Sequence, residues 1–90
     1  MAHTTESKTK LLARVRRIQG QVQAIEKALA SEQECSDVLQ LIAATRGAMN
    51  GLMNEVIEGH IRHHVLSSRP TASEREGAEE LIDIVRAYFK

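Results

Sequence analysis

The sequence predicts an all-α protein, folded as one domain of three helices over residues 1–90. Its apolar residues are mostly Leu, Ile, Val, Ala and Met, with one proline and two aromatic residues, Tyr88 and Phe89. Those aliphatic types favour helices. Apolar positions recur at steps of three and four, the period of an amphipathic helix. A chain of this length buries only a modest core, and oligomerisation often supplies the missing buried surface.

The first predicted helix has an apolar stripe with alternating steps of four and three. Thr4 or Thr5 is expected to cap its start. We expect the helix to end within residues 30–33. The stripe consists of Leu11, Val15, Ile18, Val22, Ile25 and Leu29.

The second predicted helix covers residues 36–66, beginning at Cys35 or Ser36. Its 3.6-residue period continues in phase across Gly47 and Gly51, which favours one unbroken helix. Asn50-Gly51 is also a turn dipeptide, so two short helices with a break there are the alternative. The two glycines, four residues apart, would let another helix approach closely.

A loop over residues 67–71 is predicted before the third helix, because Pro70 cannot continue the second. Thr71 or Ser73 is expected to cap this last helix, and Ser73 and Glu76 have capping-box spacing. Its apolar positions are Ala78, Leu81, Ile82, Val85 and Tyr88.

Three side chains with metal-binding chemistry stand out. His60 and His64 are four residues apart, so one helix face can offer both imidazoles to one ion. Cys35, the only cysteine, would lie roughly 37 Å from His60 along an unbroken helix rising ~1.5 Å per residue. A thiolate ligand to the same ion would then have to come from another subunit. The alternative is that no metal binds, the two histidines are solvated and Cys35 has no functional role.

The first residues add further nitrogen donors. Removal of Met1 before the small Ala2 would leave a free amine beside His3. We expect residues 1–4 to form a flexible tail that carries these ligands. An amine, imidazoles and one thiolate suit nickel, cobalt or zinc by ligand softness.

The charges are balanced overall but unevenly distributed. Twelve Lys and Arg offset twelve Asp and Glu, and no acidic residue occurs between Glu6 and Glu26. The plain interpretation of the basic residues is a solvated helix face. The alternative is a phosphate-binding face assembled from several first helices. The candidate DNA-contacting residues are Lys10, Arg14, Arg16, Arg17 and Gln21.

Other classes are disfavoured. A lone cysteine indicates a reducing cytoplasm, and no apolar run is long enough to span a membrane. An enzyme is not expected, because the chain has no phosphate loop and no nucleophile with an orienting partner. Nothing in the sequence calls for a small organic cofactor.

Two blocks resemble the CsoR/RcnR/FrmR family of small bacterial transcriptional repressors. They are RVRRIQGQVQAIEKAL and CSDVLQLIAATRGAMNGLMNEVIEGHI. The resemblance implies a homotetramer, a disc-shaped dimer of dimers that binds double-stranded operator DNA. It also implies antiparallel pairing of the long second helices, so that a cysteine of one protomer meets histidines of its partner.

The residues at the ligand positions resemble the nickel/cobalt branch of RcnR and DmeR repressors, which has His3, Cys35, His60 and His64. Copper sensors have a second cysteine at the place of His64, and persulfide sensors also need two cysteines. Formaldehyde sensors typically have proline after Met1 and glutamate at the place of His64. One departure is Gln33, where some nickel/cobalt sensors have histidine.

The resemblance implies a repressor that binds DNA in its apo form and is released by Ni(II) or Co(II), derepressing a metal-efflux gene. The implied ligands are the Ala2 amine, His3 and Cys35, with His60 and His64 from the neighbouring protomer. Zn(II) is a candidate non-cognate metal. One alternative is a formaldehyde-responsive repressor in which the aldehyde bridges the Ala2 amine and Cys35. The other is a plain helical assembly module.

Overall fold

A computed structural model describes residues 7–89 and contains three α-helices, with no strand in that range. Helix α1 spans Lys8–Ala30, α2 spans Cys35–His60 and α3 spans Ala72–Tyr88. A π-helical segment, Ile61–Val65, continues directly from α2. The predicted all-α class is confirmed. Helix α2 also passes through Asn50 and Gly51 without interruption, so the alternative of two short helices is wrong.

A tight turn joins α1 to α2 and makes the two helices an antiparallel hairpin. The Gln33 N–H donates to the Ala28 carbonyl at 3.0 Å, and the Glu32 N–H donates to the Leu29 carbonyl at 3.2 Å. This is the Schellman pattern, which needs a left-handed residue and usually has glycine there. Here that residue is Glu32, with a φ of 56°. The turn brings the last residues of α2 beside the first turn of α1.

The hairpin is a single layer of helices. The chain measures 56 × 25 × 12 Å, and its shortest dimension equals about one helix diameter. Its radius of gyration is 17.1 Å, whereas a compact chain of this length would have about 12 Å. Many apolar side chains therefore remain exposed on the hairpin. They include Val22, Leu29, Leu39, Ile42, Met49 and Met53.

The tightest apolar packing lies where α2, the π segment and α3 meet. Ile61 and Ile82 are 4% and 1% exposed there, and they pack with Ala78. Ile57 and Leu66 cover this cluster. Helix α3 is thus folded back onto the histidine-bearing end of α2.

The start of α3 confirms one of the two predicted caps. Thr71 and Glu74 form the capping box, so Thr71 caps the helix and the pairing of Ser73 with Glu76 is wrong. Ala72 follows the cap as the first helical residue. Ser7 precedes α1 and makes no side-chain cap. Thr4 and Thr5 lie outside the described residues.

None of the helices in residues 7–89 combines the length and the apolar character that a bilayer crossing requires.

Candidate metal centre and DNA-binding face

His60 and His64 form a pair of exposed imidazoles at the end of α2. His60 is the last residue of α2 and His64 lies in the π segment. Their ring centroids are 5.1 Å apart and the rings are tilted by 30°. Two imidazoles on one ion, with metal–nitrogen bonds of about 2.1 Å and angles of about 90–109°, would place their centroids about 4.6–5.3 Å apart. The measured separation of the ring centroids therefore lies in the range expected for two imidazoles on one ion.

The π segment sets the direction in which the second histidine points. The Leu66 N–H donates to the Ile61 carbonyl at 3.0 Å, which is the i to i+5 bond of a π turn. Ile61 is buried, whereas His63 and His64 are exposed. Short π turns are often found at functional sites. Apolar periodicity did not predict this one, because the buried positions still follow the helical period.

Ion pairs fasten the histidine-bearing segment to α3. Arg62 lies between the two histidines and contacts Glu79 at 2.7 Å and Glu58 at 3.3 Å. Arg86 of α3 contacts the same Glu58 at 2.6 Å. The hydrogen bond from Arg86, together with that from Arg62, lowers the pKa of Glu58, and the bond to Glu79 raises the pKa of Arg62. These ion pairs thus hold the segment that carries the two histidines against α3.

Cys35 lies at the opposite end of α2. It is the first residue of the helix and is exposed. At ~1.5 Å per residue, α2 separates it from His60 by roughly 37 Å. Within residues 7–89 no three His, Cys, Asp or Glu side chains are grouped closely enough to hold one metal ion. One protomer therefore presents the imidazoles and the thiol in two separate places.

The N-terminal ligands predicted from the sequence, Ala2 and His3, lie outside the described residues. The position of Ser7 is nevertheless informative. A polar cavity of about 210 Å³ is formed where the first turn of α1 meets the end of α2. Its lining includes Ser7, Lys10, Glu55, Glu58, Gly59, Arg62 and His63. The chain therefore enters α1 at the histidine end of α2.

The candidate DNA-binding residues have three kinds of surroundings. Arg16 and Arg17 are exposed on α1. Lys10 and Arg14 instead form ion pairs with Glu55 of α2, both at 2.9 Å. Gln21 is half-buried, and its Oε1 atom has no hydrogen-bond partner among the described residues. Sequence reasoning missed Glu55, because the register between α1 and α2 is not visible in the pattern of either helix.

Comparison with known proteins gives the class. A model of the family described as metal-sensitive transcriptional repressor matches residues 7–87. The chain belongs to this family. Its members are repressors and not enzymes, which confirms the expectation from the sequence.

Relatives of the repressor match it over its full length. It is 46% identical over 90 residues to the transcriptional repressor RcnR of Salmonella typhimurium, covering 100% of both chains. It is 54% identical over 91 residues to a Serratia marcescens protein described only by its place in the bioA 5′ region, again covering 100% of both.

A solved structure of a glutamate-to-histidine variant of the formaldehyde-responsive regulator FrmR, from Salmonella enterica serovar Typhimurium, is also similar. Its TM-score is 0.67 at 48% identity, over 92% of this chain and 94% of that one. The repressor thus resembles both an RcnR and an FrmR protein.

Proposed function

We propose that the repressor binds operator DNA in its metal-free form and releases it when Ni(II) or Co(II) binds, derepressing a metal-efflux gene. The observation that carries this proposal is the pair His60 and His64. Their 5.1 Å spacing suits one shared ion, and the contacts of Arg62 hold their segment in place. The full-length similarity to RcnR supports the same assignment.

The remaining ligands require a second protomer. Cys35 and His60 are equally distant along α2 from Gly47 and Ala48. A two-fold axis at these small residues would pair two α2 helices antiparallel and place Cys35 of one beside His60 of the other. The exposed stripe of Leu39, Ile42 and Met49 would be covered in that pair.

The N-terminal ligands are better grouped with the histidines of their own chain. An extended chain covers at most about 3.6 Å per residue, so Ala2 reaches no more than about 18 Å from Ser7. Cys35 of the same chain is about 35 Å from the Glu58 end of α2. We therefore assign Ala2, His3, His60 and His64 to one protomer and Cys35 to its partner. This regroups the set implied by the resemblance, which placed Ala2 and His3 with Cys35.

Two such dimers would complete the disc-shaped tetramer. Binding of the tail at the metal would pull on Ser7, and hence on the first turn of α1, which bears Lys10. The exposed residues Arg16 and Arg17 would contact DNA phosphates from the same helix. Metal binding at one end of α2 is thereby linked to the basic face. Binding linkage is reciprocal, so DNA must weaken metal binding by the same factor.

A formaldehyde-responsive repressor is the second candidate, favoured by the similarity to the FrmR variant. An aldehyde carbon would bridge the Ala2 amine and the Cys35 thiol. The reach argument places these two groups on different protomers in this case as well. His64 has no role in that chemistry, which separates the two candidates.

The test is DNA binding measured by fluorescence anisotropy, with a duplex enriched from a random pool by the metal-free protein. Ni(II), Co(II), Zn(II), Cu(I) and formaldehyde are titrated separately against the complex. We expect release by Ni(II) or Co(II), lost in His64→Leu and retained in His63→Leu, its exposed neighbour.

Three other outcomes are informative. Unchanged metal response in His64→Leu would remove the site proposed here. Release by formaldehyde alone, unaffected by that substitution, would assign the repressor to the aldehyde class. Absence of any selective DNA binding would leave a helical assembly module.

A further inference from the structure

Glu55 of α2 neutralises part of the basic face of α1. One of its carboxylate oxygens contacts Nζ of Lys10 at 2.9 Å, and the other, Oε2, contacts Nε of Arg14 at 2.9 Å. The contact with Arg14 is an ion pair, because Oε2 accepts no hydrogen bond among the described residues. The Glu55 side chain is 21% exposed, against 72% for Lys10 and 39% for Arg14. The carboxylate is therefore fixed against the hairpin, whereas the two cationic side chains have room to move away from it.

Gly51 makes room for one of these cations. It lies one turn before Glu55 on α2, and a Cβ atom built on it would be 2.9 Å from Nη1 of Arg14. Real Cβ contacts of that length essentially never occur. The guanidinium of Arg14 thus lies across the backbone of α2 at a residue with no side chain. Glycine inside a helix is destabilising relative to alanine, and this contact gives a physical reason for its presence.

Carboxylate and phosphate oxygens compete for the same donors. Both anions attract guanidinium and ammonium groups, and a cation held in an ion pair by Glu55 is less available to a phosphate. We propose that Glu55 is an intramolecular competitor of DNA phosphate, so that Lys10 and Arg14 must leave Glu55 when the repressor binds DNA. This inference rests on the proposed function, in which α1 contacts the operator.

The same contacts connect the basic face with the metal end. Lys10 and Glu55 line the cavity that also contains Ser7, Gly59 and His63. A displacement of the first turn of α1 therefore changes the separation of Lys10 from Glu55. Glu55 provides the position to which the cations return in the DNA-free state.

The first test substitutes Glu55→Gln, with Glu26→Gln as the control. Both remove one carboxylate, but Glu26 is an exposed residue of α1. The probe is a fluorescein-labelled duplex of mixed sequence, since phosphate contacts are largely independent of sequence. We expect Glu55→Gln to bind about tenfold more tightly, because neither cation then has to leave an ion pair before it contacts phosphate. We expect Glu26→Gln to change affinity by less than about twofold.

Salt dependence gives a second readout. When wild type binds DNA, Lys10 and Arg14 leave Glu55, and the carboxylate then attracts a cation from solution. This uptake offsets one of the cations released from the DNA. The plot of log affinity against log salt should therefore be steeper in Glu55→Gln, by up to about one unit of slope. A uniform change in net charge would move both glutamine variants equally.

Gly51→Ala tests the same contact by steric means. The added methyl group displaces the flexible end of Arg14 without altering any charge, and alanine favours the helix. We expect tighter DNA binding with an unchanged or raised melting temperature in circular dichroism. In a double-mutant cycle, Arg14→Ala should cost more affinity in the Glu55→Gln background than in the wild type.

Three results would overturn the inference. Equal affinities of Glu55→Gln and Glu26→Gln would leave only a net-charge effect. Weaker binding by Glu55→Gln and Gly51→Ala would show that Glu55 positions the two cations for DNA. If neither wild type nor any variant bound DNA, both the proposed function and this inference would be wrong. If wild type bound DNA and the variants bound it equally well, only this inference would be wrong.

Discussion

The two ends of α2 are built very differently. At the histidine end, buried Ile61 and Ile82 pack together, and Arg62 joins the segment to α3. At the other end, Cys35 is exposed and follows a turn in which Glu32 has a positive φ. One chain supplies a packed support for the histidines and an accessible position for the thiol.

This difference indicates how the proposed site is divided between protomers. Paired imidazoles must hold their spacing before a metal arrives, so their support has to be internal to the chain. A thiol that completes the site of another chain has to remain accessible at its own surface. The exposed apolar stripe of the hairpin lies between these two ends. Association along that stripe would bring the unlike ends together.

Removing one ligand from each half of the proposed site tests its division between two protomers. Cys35→Ala and His64→Leu should each abolish high-affinity Ni(II) or Co(II) binding, because every site of the homo-oligomer loses a ligand. Mixing the two variants under exchange conditions should restore about a quarter of the sites, since half of the dimers are mixed and one of their two sites is intact. Metal titration followed by absorption spectroscopy measures this fraction.

The double variant with both substitutions in one chain is the control for that mixture. If each site takes ligands from both chains, a dimer of one wild-type chain and one double-variant chain has one site without Cys35 and one site without His64. Metal binding should then come from wild-type dimers only. Failure of the two single variants to complement each other, under conditions where exchange is shown to occur, would contradict a site divided between Cys35 of one protomer and His64 of its partner.

The apolar cluster at the histidine end of α2 can also be weakened by a substitution. Ile82→Ala should lower the free energy of unfolding by about 2–5 kcal/mol, because Ile82 is 1% exposed and its removal leaves a cavity. This loss should not depend on protein concentration. Urea denaturation followed by circular dichroism measures it.

Leu39→Ala is the matched substitution towards the Cys35 end. Leu39 is 60% exposed in one chain, so its contribution comes through association with another copy. Its effect on stability should therefore increase with protein concentration. Concentration-independent losses of equal size in both variants would contradict the contrast between the two ends.

The sequence predicted the helices well because each has a regular apolar period. That period also favoured the continuity of α2 through Gly51, since a break would have shifted the phase of the apolar face, and the structure confirms it. Helix starts were harder to predict, because Thr71 and Ser73 both have capping chemistry. In the structure, the reciprocal hydrogen bonds between Thr71 and Glu74 identify Thr71 as the cap.

The candidate site was predictable only where its residues are close in sequence. The spacing of His60 and His64 indicated a pair, and the structure brings their rings together. Contacts between helices were not predictable in this way. Glu55 reaches Lys10 and Arg14 only through the register of the hairpin, which many pairings of two amphipathic helices would satisfy equally well.

The smallest expected effect concerns the ion pairs at the packed end, in the metal-free protein. The pKa of Glu58 lies below its ordinary value of 4.5, chiefly because Arg86 donates a hydrogen bond to its carboxylate. Since the unfolded chain binds this proton more readily, Glu58 stabilises the fold above about pH 4.5 and progressively less as the pH falls through the folded-state pKa. Glu58→Gln should cost about 1 kcal/mol near neutral pH, as expected for a partly exposed ion pair.

The difference between wild type and Glu58→Gln should accordingly shrink on acidification, because the protonated carboxyl and the amide are both neutral. Urea unfolding at a series of pH values measures this difference. Arg86→Gln should reproduce part of it, since it removes the shorter of the two contacts to Glu58, at 2.6 Å rather than 3.3 Å. A constant difference across the acidic range would show that Glu58 acts through packing alone. The attachment of α3 to the histidine-bearing segment would then depend on the apolar cluster and on the Arg62–Glu79 contact.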